Sequence, residues 1–589
     1  MANYQDFIRD AFISPIRSVL IIDDDYPTFD EVLGKQEEGK KGKKDWHNNP
    51  DQIRNVIQSF RSKNRSYLVD IHDGKNLSPK AELEKVSHLH QSDLLVLDFA
   101  LDKSKVDDGQ LAINILQKIM QNLHFNLVIV HTNTDIEKAF FDVLTGMIGR
   151  HERVQTEADR LIAEQILRDK DIDIEGFYAS LKSEIGASQY FHTMRNRRNY
   201  SAALARGNAP YALFKQRCDA AELDPAARKR ILDYFVDEYG TEQSPQMNAD
   251  MPSEINWCPD KRWIRTESVF VAFSPKPDQA DLMDVLLSTL VNWKPEPSRL
   301  FLTKLRAAMD EFGVAAQSQV LNNNLALAYW YKGLLEAKGD GLLPLIEESI
   351  SRHSKELLGY ISSDVEKFAL EMVKSDRDGR PSSEVCKEHY SVDLEDRKTL
   401  EEATKEHNAF VSSHIKLGRH LFTGDVFIHR DEHWVCLTPA CDMIPEQMNA
   451  GDKRDFGGRL PFVALKLHHV PAKYTFHASE HQYDSSEVQS GCYVFLKQEG
   501  GVKVLKYNLI DHPSSSPQWK LFFADKAGVF EKDSQQFKIT EIIKGERRLL
   551  SEKRSAVVVA RLRYEYALNL MQKLNISMNR IGLDFSTSN

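Results

Sequence analysis

Val19-Leu-Ile-Ile-Asp-Asp-Asp25 is a short apolar run that ends in three acids. A run of this kind suits a strand buried on both faces, and such strands present functional side chains at the carboxyl edge of a parallel sheet. Three further stretches repeat the pattern. They are Leu94-Leu-Val-Leu-Asp98, Leu127-Val-Ile-Val-His-Thr132 and Val269-Phe-Val-Ala-Phe-Ser-Pro-Lys276, the last followed by Pro277. Ser66–Ile71 reads as one more strand. Between the strands, Ile53, Val56, Ile57 and Phe60 share one helical face after Asn49-Pro50. Pro79–His90 reads as a second helix, and Asp108–Gln121 as a third, with Ala112, Ile115, Leu116 and Ile119 inward. The order βαβαβαβ, with Ser268–Phe273 as a fifth strand, predicts an α/β fold, a doubly wound parallel five-stranded sheet. The lysine-rich stretch Gly34–Lys44 reads as a solvated loop.

The alternation then breaks. Residues 136–262 read as helices, and strand character returns only at Ser268–Phe273. The expected organisation is therefore a sheet domain over 15–135, a helical insertion over 136–262, and the last strand and helix of the sheet domain over 263–295. A helical linker domain follows over 296–420 and a β-rich, barrel-like domain over 421–550. A C-terminal helix and tail occupy 551–589, the helix running from Glu552 to Met578. Long insertions at loop tips are tolerated because closing a longer loop costs little extra entropy.

Composition narrows the function classes. A formal net charge of -10 does not suit a chain that binds nucleic acid over its whole surface. No apolar run approaches the ~20 residues that a membrane helix needs. The first residues lack the pattern of a signal peptide. Six cysteines, at 218, 258, 386, 436, 441 and 492, form no disulfide framework, so a cytoplasmic location is expected.

Residues 17–132 and 268–293 resemble the receiver domain of two-component response regulators. The resemblance rests on the acidic pair Asp23-Asp24, on Asp98, on Thr132 and on Lys276-Pro277, with Gly109 after the acceptor loop. It implies that Asp98 is the phosphoacceptor. It further implies Mg²⁺ held by Asp23, Asp24, Asp98 and the backbone carbonyl of Ala100. Hard divalent ions favour such oxygen ligands. Thr132 and Lys276 would contact the phosphoryl group, and Phe273 would be the aromatic that responds to it. Any enzymatic activity would be at most self-phosphorylation and dephosphorylation on aspartate. The sequence departs from the family at Asp25, a third acid, at Asn133, where a small residue is usual, and in a long loop between Asp98 and Gly109.

A histidine-kinase-like or GHKL-type ATPase is the partner that the resemblance implies. Large receivers with inserted helices also resemble those of bacterial anti-phage operons. Two alternatives stay open: a degenerate receiver acting as a scaffold or adaptor, and a nucleic-acid-acting effector. The second rests on Arg195, Arg197, Arg198 and Arg206, interleaved with Tyr190, Phe191, Tyr200, Tyr211 and Phe214. The competing reading of that stretch is a helical face packed against an acidic neighbour. Thr423-Gly-Asp-Val-Phe427 followed by His433–Cys441 resembles the opening hairpin of small SH3-like barrels, including toxin endonucleases. Cys441-Asp442 with His468 or His469 is a candidate nucleophile set, against a buried cysteine at a strand end. Cys386 and His389 have the spacing of half a zinc site. Oligomerisation is left open.

Overall fold

The computed structural model describes residues 3–28, 50–62, 65–72, 92–101, 108–121, 124–149, 155–169, 174–195, 200–243, 247–248, 252, 254–278, 280–322, 324–337, 342–414, 418–444, 456–470, 493–498, 501–507, 517–531 and 534–578. The lysine-rich stretch Gly34–Lys44 and the helix expected over Pro79–His90 lie outside these residues. The chain divides into two compact units, Met1–Ala307 and Ala308–Asn589.

The first unit is built on a seven-stranded sheet. Its strands are β1 (Ser18–Ile22), β2 (Leu68–His72), β3 (Leu94–Leu97), β4 (Asn126–Thr132), β5 (Ile255–Cys258), β6 (Trp263–Thr266) and β7 (Val269–Pro275). Their order is β2-β1-β3-β4-β7-β6-β5. The first five run parallel, with Val19 opposite Leu94, Leu94 opposite Leu127, and Leu127 opposite Phe270. Burial on both faces explains why β1, β3, β4 and β7 are near-continuous apolar runs. The five expected parallel strands are therefore extended at one edge by an antiparallel hairpin, β5–β6, within and beside the stretch read as helices. Asp93 ties the chain together at the start of the sheet. Its Oδ2 accepts from the amides of Arg17 and Ser18 at 2.8 and 2.9 Å.

The helices begin with α1 (Tyr4–Ile8), which continues into a π turn at Arg9–Ile13 and packs Phe12 against Trp293. Next come α2 (Pro50–Phe60), α3 (Gln110–Met120) and α4 (Ile136–Met147), the last capped by Asp135, which accepts from the amide of Lys138. Six helices follow before β5: α5 (Glu157–Asp169), α6 (Ile174–Lys182), α7 (Ala187–Arg195), α8 (Tyr200–Arg206), α9 (Ala212–Ala220) and α10 (Pro225–Gln243). They do not form a core of their own. One continuous hydrophobic cluster runs from Ile22, Leu97 and Val130 of the sheet, through Leu116 and Phe140, to Tyr190 and Phe235 of these helices. Helix α11 (Leu282–Trp293) covers the opposite face, where Trp293 stacks on Phe270 of β7.

The second unit contains most of helix α12 (Pro297–Leu321), then α13 (Asn324–Glu336), α14 (Leu342–Arg377), α15 (Ser382–Tyr390) and α16 (Arg397–Ser412). It continues with β8 (Asp425–His429), β9 (Glu432–Cys436), β10 (Leu460–His469), β11 (Tyr493–Gln498), β12 (Gly501–Lys506), β13 (Trp519–Ala524), β14 (Gln536–Lys544) and β15 (Leu549–Leu562), and ends in α17 (Tyr564–Met578). Six of these strands close into a barrel, in the order β9-β8-β15-β14-β13-β10 and back to β9. Phe427, Trp434, Phe462, Phe522 and Phe537 fill it. Gly424, at the entry to β8, has φ +91° and a built Cβ would lie 3.0 Å from the Leu562 carbonyl, so this turn requires glycine. The helix expected from Glu552 is corrected: Leu549–Leu562 is the longest barrel strand, and the helix starts only at Tyr564. Ala556, Val558, Ala560 and Leu562 are buried in alternation, the period of a strand.

Candidate phosphorylation pocket

Residues placed by β1, β3 and β7 meet at the carboxyl edge of the sheet. The connection after β1 runs to β2 on one side and the connection after β3 runs to β4 on the other, so these two neighbouring strands send the chain in opposite directions. A crevice opens at such a switch point, and ligands bind there in open α/β sheets. Asp23 follows β1 and Asp98 follows β3. Their backbone amides continue the ladder, Asp23 to the His72 carbonyl at 3.1 Å and Asp98 to the Ile22 carbonyl at 2.9 Å. Lys276, the residue after β7, reaches between the two acids. Its Nζ donates to Asp23 Oδ2 at 2.8 Å and to Asp98 Oδ2 at 2.7 Å. All three side chains are buried.

The electrostatics follow from that burial. Desolvation pushes the Asp23 carboxyl up, against the pull of the Lys276 ammonium, and the charge of Asp98 pushes it further up. Burial alone would depress Lys276, but Asp98 and Asp23 outweigh it and hold the ammonium above the usual lysine range. Two carboxylates around one ammonium leave an excess negative charge, and the half-buried Asp24 adds another. Asp23, Asp24 and Asp98 can each offer an oxygen, all within 4.8 Å of one another. A set of hard anionic oxygens with net negative charge fits a divalent cation. Among the described residues it is the one group of three or more His, Cys, Asp or Glu side chains close enough to share an ion.

The surrounding side chains shape this edge. The amide of Ala100 donates weakly to Asp98 Oδ1, at 3.4 Å. Thr132 is fully buried at the end of β4 and its Oγ1 accepts from the amide of Thr134 at 3.2 Å. Phe273 does not line the acidic cluster. It points into the cluster shared with the helices, where its ring lies 5.1 Å from that of Phe140 on α4. Gly109 caps α3 against the ring of Phe99, the neighbour of Asp98; a built Cβ would lie 2.0 Å from that ring. Sequence reasoning missed three participants. The Lys276 ammonium lies 5.5 Å from the centre of the Tyr26 ring, and burial raises the Tyr26 hydroxyl well above its ordinary range. His131 donates from Nδ1 to the Ser274 carbonyl at 3.1 Å, since a carbonyl can only accept. Phe99 is the third. Tyr26 alone had a signal in the chain, an aromatic directly after the acid run.

The other candidates fare differently. Tyr190, Phe191, Tyr200, Tyr211 and Phe214 are all buried, so they are core residues and not a stacking platform for bases. Arg195 lies over Phe191, and Arg206 ends α8; Arg197 and Arg198 fall outside the described residues. Cys441 is exposed, not buried, and its thiol contacts Asp442 at 3.3 Å. That hydrogen bond raises the thiol, the opposite of what a thiolate nucleophile needs. Cys386 and His389 both lie on α15, where His389 Nε2 meets Asp376 at 3.2 Å.

No curated protein and no solved structure matches this chain. The match to a family model begins just before β1 and ends beyond α5, so it includes Asp23, Asp24, Asp98 and Thr132 but neither Phe273 nor Lys276. Residues 15–173, about a quarter of the chain, match the family model described as the response receiver domain.

Proposed function

We propose that the chain is a response-regulator-like signalling protein whose phosphoacceptor is Asp98. The observation that carries this reading is the buried Lys276 bridge between Asp23 and Asp98 at the switch point of the sheet. Asp23, Asp24, Asp98 and the Ala100 carbonyl would hold Mg²⁺, which supplies charge neutralisation for an incoming phosphodonor. A carboxylate oxygen of Asp98 attacks phosphorus, the donor's leaving group departs with its electron pair, and an acyl phosphate forms. Lys276 already points its ammonium at that oxygen and follows the charge onto the phosphoryl group. Thr132, one strand away, offers its hydroxyl to a phosphoryl oxygen. An upstream histidine-kinase-like or GHKL-type ATPase fits as the physiological donor.

The test uses the full chain, Mg²⁺ and a small-molecule phosphodonor, read by intact mass and by peptide mapping. The expected result is one base-labile phosphoryl group on Asp98, absent in Asp98→Ala. A wild type that takes up no phosphoryl group, yet still binds Mg²⁺, would assign the pocket to a scaffold that does not turn over.

A further inference from the structure

The helical part of the second unit carries a surface that one chain leaves uncovered. Helix α13 is apolar around most of its circumference: Leu325, Leu327, Tyr329, Trp330, Tyr331, Leu334 and Leu335 fall within thirteen residues. A helix hydrophobic all round normally lies inside a protein. Yet no residue of α13 is buried. Leu327, Trp330 and Leu334 form the half-covered side. Trp330 there meets α14, donating from Nε1 to Ser349 Oγ at 2.8 Å and packing its ring 5.3 Å from His353. Ser349 and His353 follow the α13–α14 junction at about the spacing by which Trp330 precedes it, so the two helices pack as an antiparallel hairpin. The remaining arc of α13 is open. Leu325 is 86% exposed, Tyr329 77% and Leu335 68%. On α14 the arc continues through Ile346 and Ile350.

We propose that this hairpin is a homodimerisation surface whose occupant is a second copy of the chain. Three observations select that occupant. Phe312–Tyr331 contains no charged residue, and the cation that borders it, Lys332 over the Tyr329 ring, is paired with Glu336, so the surface carries no net charge by which to choose an acidic or basic partner or an anionic membrane. The exposed large apolar side chains of α13 and the start of α14 offer on the order of 800 Å² per copy, the size that each partner buries in a standard interface. The shape is self-complementary: two antiparallel hairpins placed face to face by a twofold axis make a four-helix bundle. This inference does not depend on phosphorylation at Asp98.

Sedimentation velocity of the full chain over the micromolar range tests it. Wild type is expected to run at twice the chain mass. Tyr329→Glu with Leu335→Glu is expected to raise the dissociation constant about 100-fold or more, and Leu325→Ala about 10-fold. Leu370→Glu, exposed further along α14, is expected to leave the dimer intact. These side chains are exposed in the single chain, so circular dichroism and the thermal transition of the monomer should be preserved. A monomeric wild type overturns the proposal, and so does a dimer that survives Tyr329→Glu with Leu335→Glu.

Discussion

Replacing Lys276 by methionine removes the ammonium from between two buried carboxylates and leaves their repulsion unscreened. Breaking a buried pair in this way costs about 3–5 kcal/mol. The expected outcome is a loss of roughly 3 kcal/mol in urea unfolding without Mg²⁺, with Mg²⁺ restoring more stability to the variant than it adds to wild type. A variant as stable as wild type would mean that the lysine does not balance this charge. Gly109→Ala drives a methyl into the Phe99 ring, and overpacking of that kind costs about 1–3 kcal/mol. Because Phe99 adjoins Asp98, the same variant should also slow phosphoryl uptake. His131 sets a pH dependence: burial and the nearby Lys276 charge push it down to about 4. A depressed histidine favours the folded state fully above its unfolded value near 6.5. That stability is lost as pH falls from there toward 4, up to about 3 kcal/mol. His131→Asn keeps a donor for the Ser274 carbonyl but does not titrate, so its acid limb in denaturant titrations should be flatter; an unchanged limb would remove His131 from the account. At this scale the sequence was informative wherever a side chain ends an apolar run, which is why Asp23, Asp98, Thr132 and Lys276 could be picked out. His131 and Phe99 sit inside such runs or beside them. Their roles arise from register and packing, His131 opposite Ser274 and Phe99 against Gly109, which local pattern does not encode.

Helix α4 is the element that joins the pocket to the inserted helices. It begins four residues after Thr132, carries Phe140 against Phe273, and near its end places Thr145 Oγ1 2.9 Å from the hydroxyl of Tyr239 on α10. A shift at Thr132 or β7 therefore has a packed route to α10, through an element held at both ends. Tyr239→Phe deletes the far hydrogen bond while keeping the ring, at a cost of about 1 kcal/mol. Hydrogen exchange read before and after phosphodonor addition should then change in α4 of both proteins but in α10 of wild type alone. Equal responses in α10 would place the coupling elsewhere in the shared core. The parallel strands were legible because a strand buried on both faces is apolar without interruption. The hairpin β5–β6 was not, because Ile255–Cys258 and Trp263–Thr266 are short, mixed in polarity and defined by their pairing with each other and, for Trp263–Thr266, with β7. Strand β15 was misread for a different reason. Leu562, Tyr566 and Leu570 fall at helical spacing, but Leu562 is the end of the strand and Tyr566 and Leu570 belong to α17.

Over the whole molecule, the division into two units makes a claim about cooperativity. Each unit has hydrophobic clusters of its own: the sheet and its helices share one, and the barrel is filled by another. Each also has a buried ion pair at a structural junction. In the first it is Lys276 with Asp23 and Asp98. In the second it is Arg561 of β15 with Asp425 of β8, where the guanidinium also donates to the His420 carbonyl at 3.1 Å. Burial alone would depress Arg561, and the Asp425 charge more than compensates. Asp425 is fully buried, so Arg561→Ala strands a carboxylate in the barrel wall and should cost about 3–5 kcal/mol. Units with separate cores unfold as separate transitions unless an extensive interface couples them. Calorimetry of the full chain is therefore expected to resolve two transitions. Lys276→Met and Mg²⁺ should move the first unit's transition and leave the other in place, and Arg561→Ala should do the reverse. A single transition displaced by both substitutions would show that the two units fold as one cooperative body, with the pocket coupled to the barrel through global stability.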